Sequence, residues 1–448
     1  MLFTKDRSFY KSLAKLSFPL ALSNLLTFLI SLTDSIMIGK LGENATASVY
    51  LGALAATVLQ MLITGAEGGI TVGIAQYSGK NDNHSIKKIS SVGTFSVLIT
   101  GLLFAAASLF FSNWLSAVFL TEDTKLQGAE YLRILSVSFL PFSLSGALGS
   151  VLRSVESASI VAFASACAFV TNLVFDYLLI WGKLGFSEYG IRGAAYATVI
   201  ARTFEALILV IYLLLIDKRV KMRIRDFLKF DKRLSLDFLQ YTTPIVLGQI
   251  VWIINTLFSS YVFASFGSNA TVAGFSIAST LNSLSYIVMN GLSAAVGIII
   301  GKTVGENKIP QLKEYAYTTQ IIFIALGLLT SLCLFISKSA FVSLYNVSDE
   351  TRNIAISLIG ILSITIIGTS YQSACLIGIV RGGADTSFIF KNDAFFIFVT
   401  VIPLTLLALY MNAPLTIVFL AMKSDQILKC IPAAIKINRF HWIKKITR

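Results

Sequence analysis

"PLALSNLLTFLISLTDSIMIGKLGENATAS", residues 19–48, decides the fold in two ways. It opens with an apolar run long enough to cross a bilayer, yet it carries one acid, Asp34, among Leu, Ile and Met. It also recurs. "PIVLGQIVWIINTLFSSYVFASFGSNATVA", residues 244–273, aligns on it without gaps, with eight of thirty positions identical, among them Gly42/Gly267 and the triplets Asn44-Ala45-Thr46 and Asn269-Ala270-Thr271. Further along, "SGKN" (78–81) falls opposite "VGEN" (304–307), and "VLRSVES" (151–157) opposite "IVRGGAD" (379–385), so the matches are collinear at offsets of 225 to 228. The chain is a duplication, expected to fold as an N-terminal half over 1–225 and a C-terminal half over 226–448.

Composition sets the medium. Of 448 residues, 55% are hydrophobic and only 13% charged, where a soluble domain carries about a quarter. Breaking the chain at its polar clusters gives twelve spans, at 15–38, 48–76, 90–112, 129–152, 159–182, 192–216, 237–264, 275–301, 314–337, 353–379, 388–410 and 412–437. The expected fold class is therefore an all-α integral membrane protein, twelve transmembrane helices in two six-helix lobes. Six spans per copy leave both copies in the same orientation, a parallel repeat about an axis along the membrane normal. Two such bundles facing one another would enclose the central cavity of an alternating-access carrier.

Lysine and arginine orient the spans. With the N-terminus inside, 26 of the 36 fall on cytoplasmic segments or the span ends beside them, and 7 on outer loops or the span ends beside those. Both termini are thus expected in the cytoplasm, in the inner membrane of a bacterium. The net charge of +13 is divided among short loops that face anionic lipid, so nucleic acid is not an expected partner. The largest basic cluster, "DKRVKMRIRDFLKFDKR" (217–233), reads as the cytoplasmic linker between the halves. Lys5, Arg7, Lys11 and Lys15 before the first apolar run resemble a signal peptide, but the run is too long and carries an acid, so it reads as a retained span.

Several kinds of chemistry are excluded. The four cysteines lie far apart in apolar runs, and the two histidines, His84 and His441, sit in polar ends. No metal-ligand spacing or nucleophile–base pair lies within the spans, so no enzyme and no cofactor is expected. No P-loop is present to make an ATP-driven pump.

The intramembrane acids carry the functional reading. Asp34 lies about 6 Å of helical rise below the outer end of span one, Asp176 about 9 Å below that of span five, and Thr198 about 9 Å down span six. Asn172 precedes Asp176 by four residues and shares its helix face. These four groups form a candidate cation-coupling site, for a proton or sodium. Neutralisation by a proton or a cation would let such a site close against apolar neighbours. Arg202 and Glu205, three apart in span six, read as an internal ion pair. Lys423 and Asp425, two apart in span twelve, cannot face each other on one helix, so each needs a partner on another span or reaches cavity water in the substrate path. Glu67 in span two is a possible substrate contact, and Arg153 and Arg381 read as helix-end or lipid contacts.

The ordered set of "PLALSNLLTFLISLTDSIMIGKLG", "GIAQYSGKND", "TNLVFDYLLIWG", "GIRGAAYATVIA" and "RGGADT" resembles the multidrug and toxic compound extrusion (MATE) transporters over essentially the whole chain. The resemblance implies a cation-coupled antiporter, driven by protons or sodium, that exports small organic and often cationic compounds. It carries the family's N-lobe acid pair onto Asp34 and Asp176, with Asn172 and Thr198 beside them. Spans seven and ten hold no acid here, which places the chain nearer the DinF-like branch and leaves Ser259 and Leu404 opposite Asp34 and Asp176. A monomer is expected, with membrane lipids as its surroundings. The alternative is a lipid or lipid-linked oligosaccharide flippase of the same wider superfamily. Such a protein lines its cavity with cations, whereas here Arg202 and Lys423 stand against Asp34, Glu67, Asp176, Glu205 and Asp425.

Overall fold

The computed structural model describes residues 3–120, 122–227 and 230–447. Among them the chain is helical, with no strand, and eleven stretches are long and apolar enough to cross a membrane. In a hydrocarbon medium only helices and closed barrels satisfy the backbone, and this sequence takes the first course.

The first half runs through α1 (Arg7–Gly39), α2 (Glu43–Gly79), α3 (Asn83–Phe119), α4 (Glu122–Ser154), α5 (Ala158–Trp181) and α6 (Ile191–Ile211), which ends in a π-helical turn at Tyr212–Ile216. One short helix, α7 (Ile224–Phe227), lies in the basic linker. The second half repeats the order with α8 (Lys232–Ser265), α9 (Asn269–Gly305), α10 (Ile309–Val342) and α11 (Asp349–Gln372). A π-helical stretch at Ser373–Val380 follows α11. Then come α12 (Thr386–Phe395), a second π-helical stretch at Phe396–Val401, and α13 (Ile402–Tyr410). The duplication is visible in lengths: α2 and α9 each have 37 residues. Gly42 and Gly267, identical in both copies, turn the chain into these helices at φ +107° and +66°, where a side chain would be strained.

The twelfth span departs from expectation. Residues 412–437 are not one helix but three, α14 (Leu415–Met422), α15 (Asp425–Leu428) and α16 (Cys430–Asn438). The interruption at Lys423 and Ser424 contains no glycine or proline. Charged and hydroxyl side chains lie there instead of apolar ones.

Two compact units result. One comprises Leu22–Val246, the other Met1–Ala21 with Leu247–Arg448. The first turns of α1 thus belong with the second half of the sequence, and the first turns of α8 with the first half. In the unit that contains Leu247–Arg448, Phe263 stacks on Phe275 at 3.8 Å with Phe419 edge-on to both. Here too the backbone nitrogen of Thr4 donates to Thr318 Oγ1 at 2.8 Å, Phe9 stacks on Tyr315 at 4.5 Å, and the Tyr315 hydroxyl donates to Asp6. In the other unit the linker is tied to the start of α3. Lys87 pairs with Asp226 at 2.9 Å, Lys88 with Asp231 at 2.8 Å, and the Ser91 hydroxyl donates to the Phe227 carbonyl.

Candidate functional site

α5 and α6 meet at Gly193, where a Cβ would stand 2.5 Å from the Leu179 carbonyl oxygen. Only hydrogen fits, so the two backbones close to contact. That approach sets Thr198, one and a half turns further along α6, against the acids of α5 and α1. The Thr198 hydroxyl donates to Asp34 Oδ2 at 3.4 Å and also to the Ala194 carbonyl at 3.0 Å. Asn172 and Asp176 are fully buried. With its amide nitrogen toward the acids, Asn172 donates to Asp34 Oδ1 at 3.0 Å and to Asp176 Oδ2 at 3.2 Å, so one amide bridges both carboxylates. Asp176 Oδ1 accepts no hydrogen bond among the described residues.

All four side chains singled out for cation coupling are therefore in one cluster built from α1, α5 and α6. Among the described residues no lysine or arginine forms an ion pair with Asp34 or Asp176; Arg202 is turned instead to Glu205. An open cavity of about 470 Å³ lies on the same helices, lined by Thr33, Ile36, Met37 and Tyr177, with Lys40 and Trp181, and none of the four cluster residues lines it.

The same three helices carry a second polar layer. Ser23 and Ser165, eleven residues before Asp34 and Asp176, share a hydrogen bond at 2.8 Å, and the Ser165 hydroxyl donates to Glu205 Oε1 at 3.0 Å. Arg202 meets Glu205 Oε2 at 2.9 Å and lies over the Phe142 ring at 4.7 Å. Glu67 is held by Arg153 at 3.1 Å, with Ser150 sharing the guanidinium. Arg153, in the last turn of α4 as a helix-end residue, is thus also an ion-pair partner across to α2. The three-residue spacing of Arg202 and Glu205 made their pairing visible, but no local spacing linked Glu67 to Arg153.

In the second half, Lys423 and Asp425 do not pair. Lys423 lies over the Phe419 ring at 5.5 Å. Asp425 finds Lys429 on its own segment, 3.0 Å away, and the same ammonium reaches Asp393 Oδ1 at 2.9 Å. Trp252 donates from Nε1 to Asp393 Oδ2 at 3.4 Å, and its ring lies 4.9 Å from the Lys429 nitrogen. The sequence reading missed Asp393, Trp252 and the pairing role of Lys429. The i,i+4 spacing of Asp425 and Lys429 was the available signal. At Ser259, opposite Asp34 in the repeat, the hydroxyl donates to the Asn255 carbonyl of its own helix at 2.7 Å.

The family model described as MatE matches residues 19–178 and 244–420. A probable multidrug resistance protein NorM of Photorhabdus laumondii is 25% identical over 88% of this chain and 86% of its own length. The NorM of Thermotoga maritima is 27% identical over 65% of this chain and 62% of that protein. A probable multidrug resistance protein YoeA of Bacillus subtilis is 27% identical over 78% of this chain and 76% of its own. Among solved structures, a MATE in complex with MaL6 superposes with a TM-score of 0.86 at 21% identity, covering 96% of both chains. An outward-facing MATE transporter of the MOP superfamily gives 0.87 at 19%, covering 98% of this chain and 99% of that one. These structural likenesses speak to the fold, and the two stretches matched by the family model, one in each half, speak to descent: the chain belongs to the MATE family of transporters.

Proposed function

We propose that this chain is a cation-coupled antiporter that exports organic, cationic or amphiphilic compounds by alternating access, working as a monomer in the inner membrane of a bacterium with both termini in the cytoplasm. The observation that carries the reading is the Asn172 bridge between Asp34 and Asp176. Two carboxylates held this close in an apolar surrounding favour taking up a proton or another cation. The orphan oxygen of Asp176 is the natural acceptor. The Asn172 amide can serve two states. Nitrogen-first, it donates to charged acids; oxygen-first, it would accept from a protonated acid or join the carboxylates and Thr198 as a ligand to sodium. An ion taken from outside would neutralise the site and allow α1 and α5 to close. Its release inside would restore the charge that draws a cationic cargo. The names of the NorM and YoeA relatives support organic compounds as cargo.

Gradient-driven uptake of a fluorescent organic cation into inverted vesicles, where export from the cytoplasmic face fills the lumen, tests this, with wild type compared to Asp34→Asn under a proton gradient and a sodium gradient in turn. One gradient should drive wild-type transport, and the substitution should abolish that drive. Full gradient-driven uptake by Asp34→Asn would remove coupling from this site. Transport under neither gradient would turn the reading toward a lipid or lipid-linked cargo.

A further inference from the structure

The unit that contains Leu247–Arg448 holds a second charged centre for which the coupling scheme has no use. Lys429 has no solvent exposure, and its ammonium lies between Asp393 and Asp425, with the Trp252 indole on a third side. Two carboxylates and an aromatic face are what a protein offers an organic cation. Here the chain's own lysine fills the place.

The backbone around this centre is irregular on three sides. Asp393 lies three residues before the π-helical stretch Phe396–Val401, and Asp425 opens the short helix α15 after the break at Lys423–Ser424. Gln372, the last residue before the π-helical stretch Ser373–Val380, donates its amide to the Asp425 and Gln426 carbonyls at 2.9 and 2.6 Å. Non-helical backbone at membrane depth is tolerated where it is buried in protein or lines a cavity, and broken helices mark transporter binding sites.

Among the described residues the polar atoms left over include three acceptors, beside two donors near Asp393, Arg381 Nε and Asn392 Nδ2. Asp425 Oδ2 is close to the Lys429 ammonium but accepts no well-directed hydrogen bond, and Asp425 is 3% exposed. Asn255 Oδ1, one turn along α8 from Trp252, is buried without a partner among the described residues. So is Asn282 Oδ1, one turn before Tyr286 on α9, and the Tyr286 hydroxyl receives the Gln426 amide at 3.4 Å. Unfilled acceptors near an ammonium suit a ligand that brings N–H donors of its own.

We propose that Asp393, Asp425 and Trp252 form a cargo site for protonated organic amines, and that Lys429 is a tethered stand-in that such an amine displaces. The proposal rests on the cationic-cargo reading above and names the place and the competitor. Lys429 offsets one of the two carboxylate charges when no cargo is present, so an empty carrier buries less uncompensated charge. Cargo that carries its own ammonium replaces that charge one for one. The charged and titratable groups facing the carboxylates are Lys429, Lys423 and Cys430 on the same segment, Tyr286 on α9, and Arg381 toward Asp393. Lys429 is the one that touches both acids.

The test is equilibrium binding of quinacrine, a fluorescent protonated amine, to the purified full chain in detergent. Lys429→Gln should bind roughly tenfold tighter than wild type, because the internal competitor is gone. Asp393→Asn/Lys429→Gln should lose that gain and bind roughly tenfold or more weaker than Lys429→Gln. The double variant keeps the charge balance, which separates loss of binding from failure to fold, and size-exclusion profiles check that all three are intact. Weaker or unchanged binding by intact Lys429→Gln would make the lysine a structural staple and overturn the proposal. A wild type that exports organic cations while these variants leave the dissociation constant unmoved refutes the site alone. A wild type that neither binds nor exports them refutes the cationic-cargo reading, and the site with it.

Discussion

Asp231 stands 225 residues after Asp6 and forms bonds of the same two kinds. Asp6 Oδ1 accepts the Ser8 backbone N–H at 2.8 Å, and Asp231 Oδ1 accepts those of Arg233 and Leu234 at 3.0 and 3.1 Å. The second oxygen of each reaches a third helix: Asp6 accepts from Tyr315 on α10, and Asp231 from Lys88 on α3 at 2.8 Å. Tyr315 and Lys88 are themselves 227 residues apart. Each acid starts the first long helix of its own half and ties it to the third helix of the other half's sequence. The carbonyls that follow α4 and α11 repeat the pattern: the Arg219 side chain donates to Val155, and the Lys444 backbone donates to Gly383 at 2.8 Å.

Asp231→Asn should free the linker. Trypsin cleavage near Arg223 and Arg225 is expected to accelerate several-fold over wild type. The bond from Lys88 lowers the Asp231 carboxyl to about 2, below the ordinary aspartate value of about 3.9. A lowered acid contributes fully above its unfolded value and loses that contribution as pH falls toward the folded one. The wild-type cleavage rate, normalised to trypsin activity, should therefore stay level from about pH 8 to pH 5. A change across that window would contradict the assignment.

Asn172→Leu removes the only side-chain donor, among the described residues, shared by the two acids of the coupling cluster. Leaving buried acceptors unpaired costs about 1–3 kcal/mol, so thermal unfolding in detergent should shift downward. Gradient-driven efflux should fall more than tenfold, whereas Asn172→Gln should recover part of it. Equal loss in both variants would point to packing and not to the amide.

Arg202 and Glu205 are buried at 8% and 5% exposure. Removing one partner of a buried pair typically costs about 3–5 kcal/mol, whereas replacing both by apolar groups is often neutral. Glu205→Leu should unfold well below wild type, and Arg202→Met/Glu205→Leu should recover most of the difference. Additive losses in the double variant would show that the two residues do not act as a pair.

Gly383 is packed against Trp442: a Cβ there would stand 2.3 Å from Cε3 and 2.7 Å from the Trp442 carbonyl oxygen. Gly383→Ala should displace the C-terminal tail, which Asp385 also holds through Lys436 and Lys444 at 2.6 and 2.7 Å. A red shift of tryptophan emission and a loss of about 1–3 kcal/mol are expected. An unchanged emission maximum would mean that the tail does not move.

What could be read from residues alone follows the range of each interaction. Depth along a helix is a local quantity, so Asp34, Asn172, Asp176 and Thr198 could be ranked by distance from span ends. Their meeting needed only that α1, α5 and α6 be neighbours. The Glu67–Arg153 pair and the Trp252–Asp393–Lys429 centre depend on which faces of distant helices meet, and a hydropathy profile carries no such term. Asp393 was passed over inside an apolar span for that reason. The break in the twelfth span was hidden differently, because the polar run Lys423–Gln426 holds no glycine or proline to mark it as a helix end. The duplication was the most legible feature, since it needed only comparison of the chain with itself.

The exchanged ties set an order of assembly during synthesis. The unit formed by Leu22–Val246 is complete once the ribosome has passed the start of α8, and Asp231 can lock onto Lys88 at once. Asp6 has no such option, since Tyr315 lies 309 residues downstream. The first turns of α1, synthesised long before α10, are therefore among the last to dock. Until then the amphipathic stretch around Phe9 must be held by lipid or by the insertion machinery.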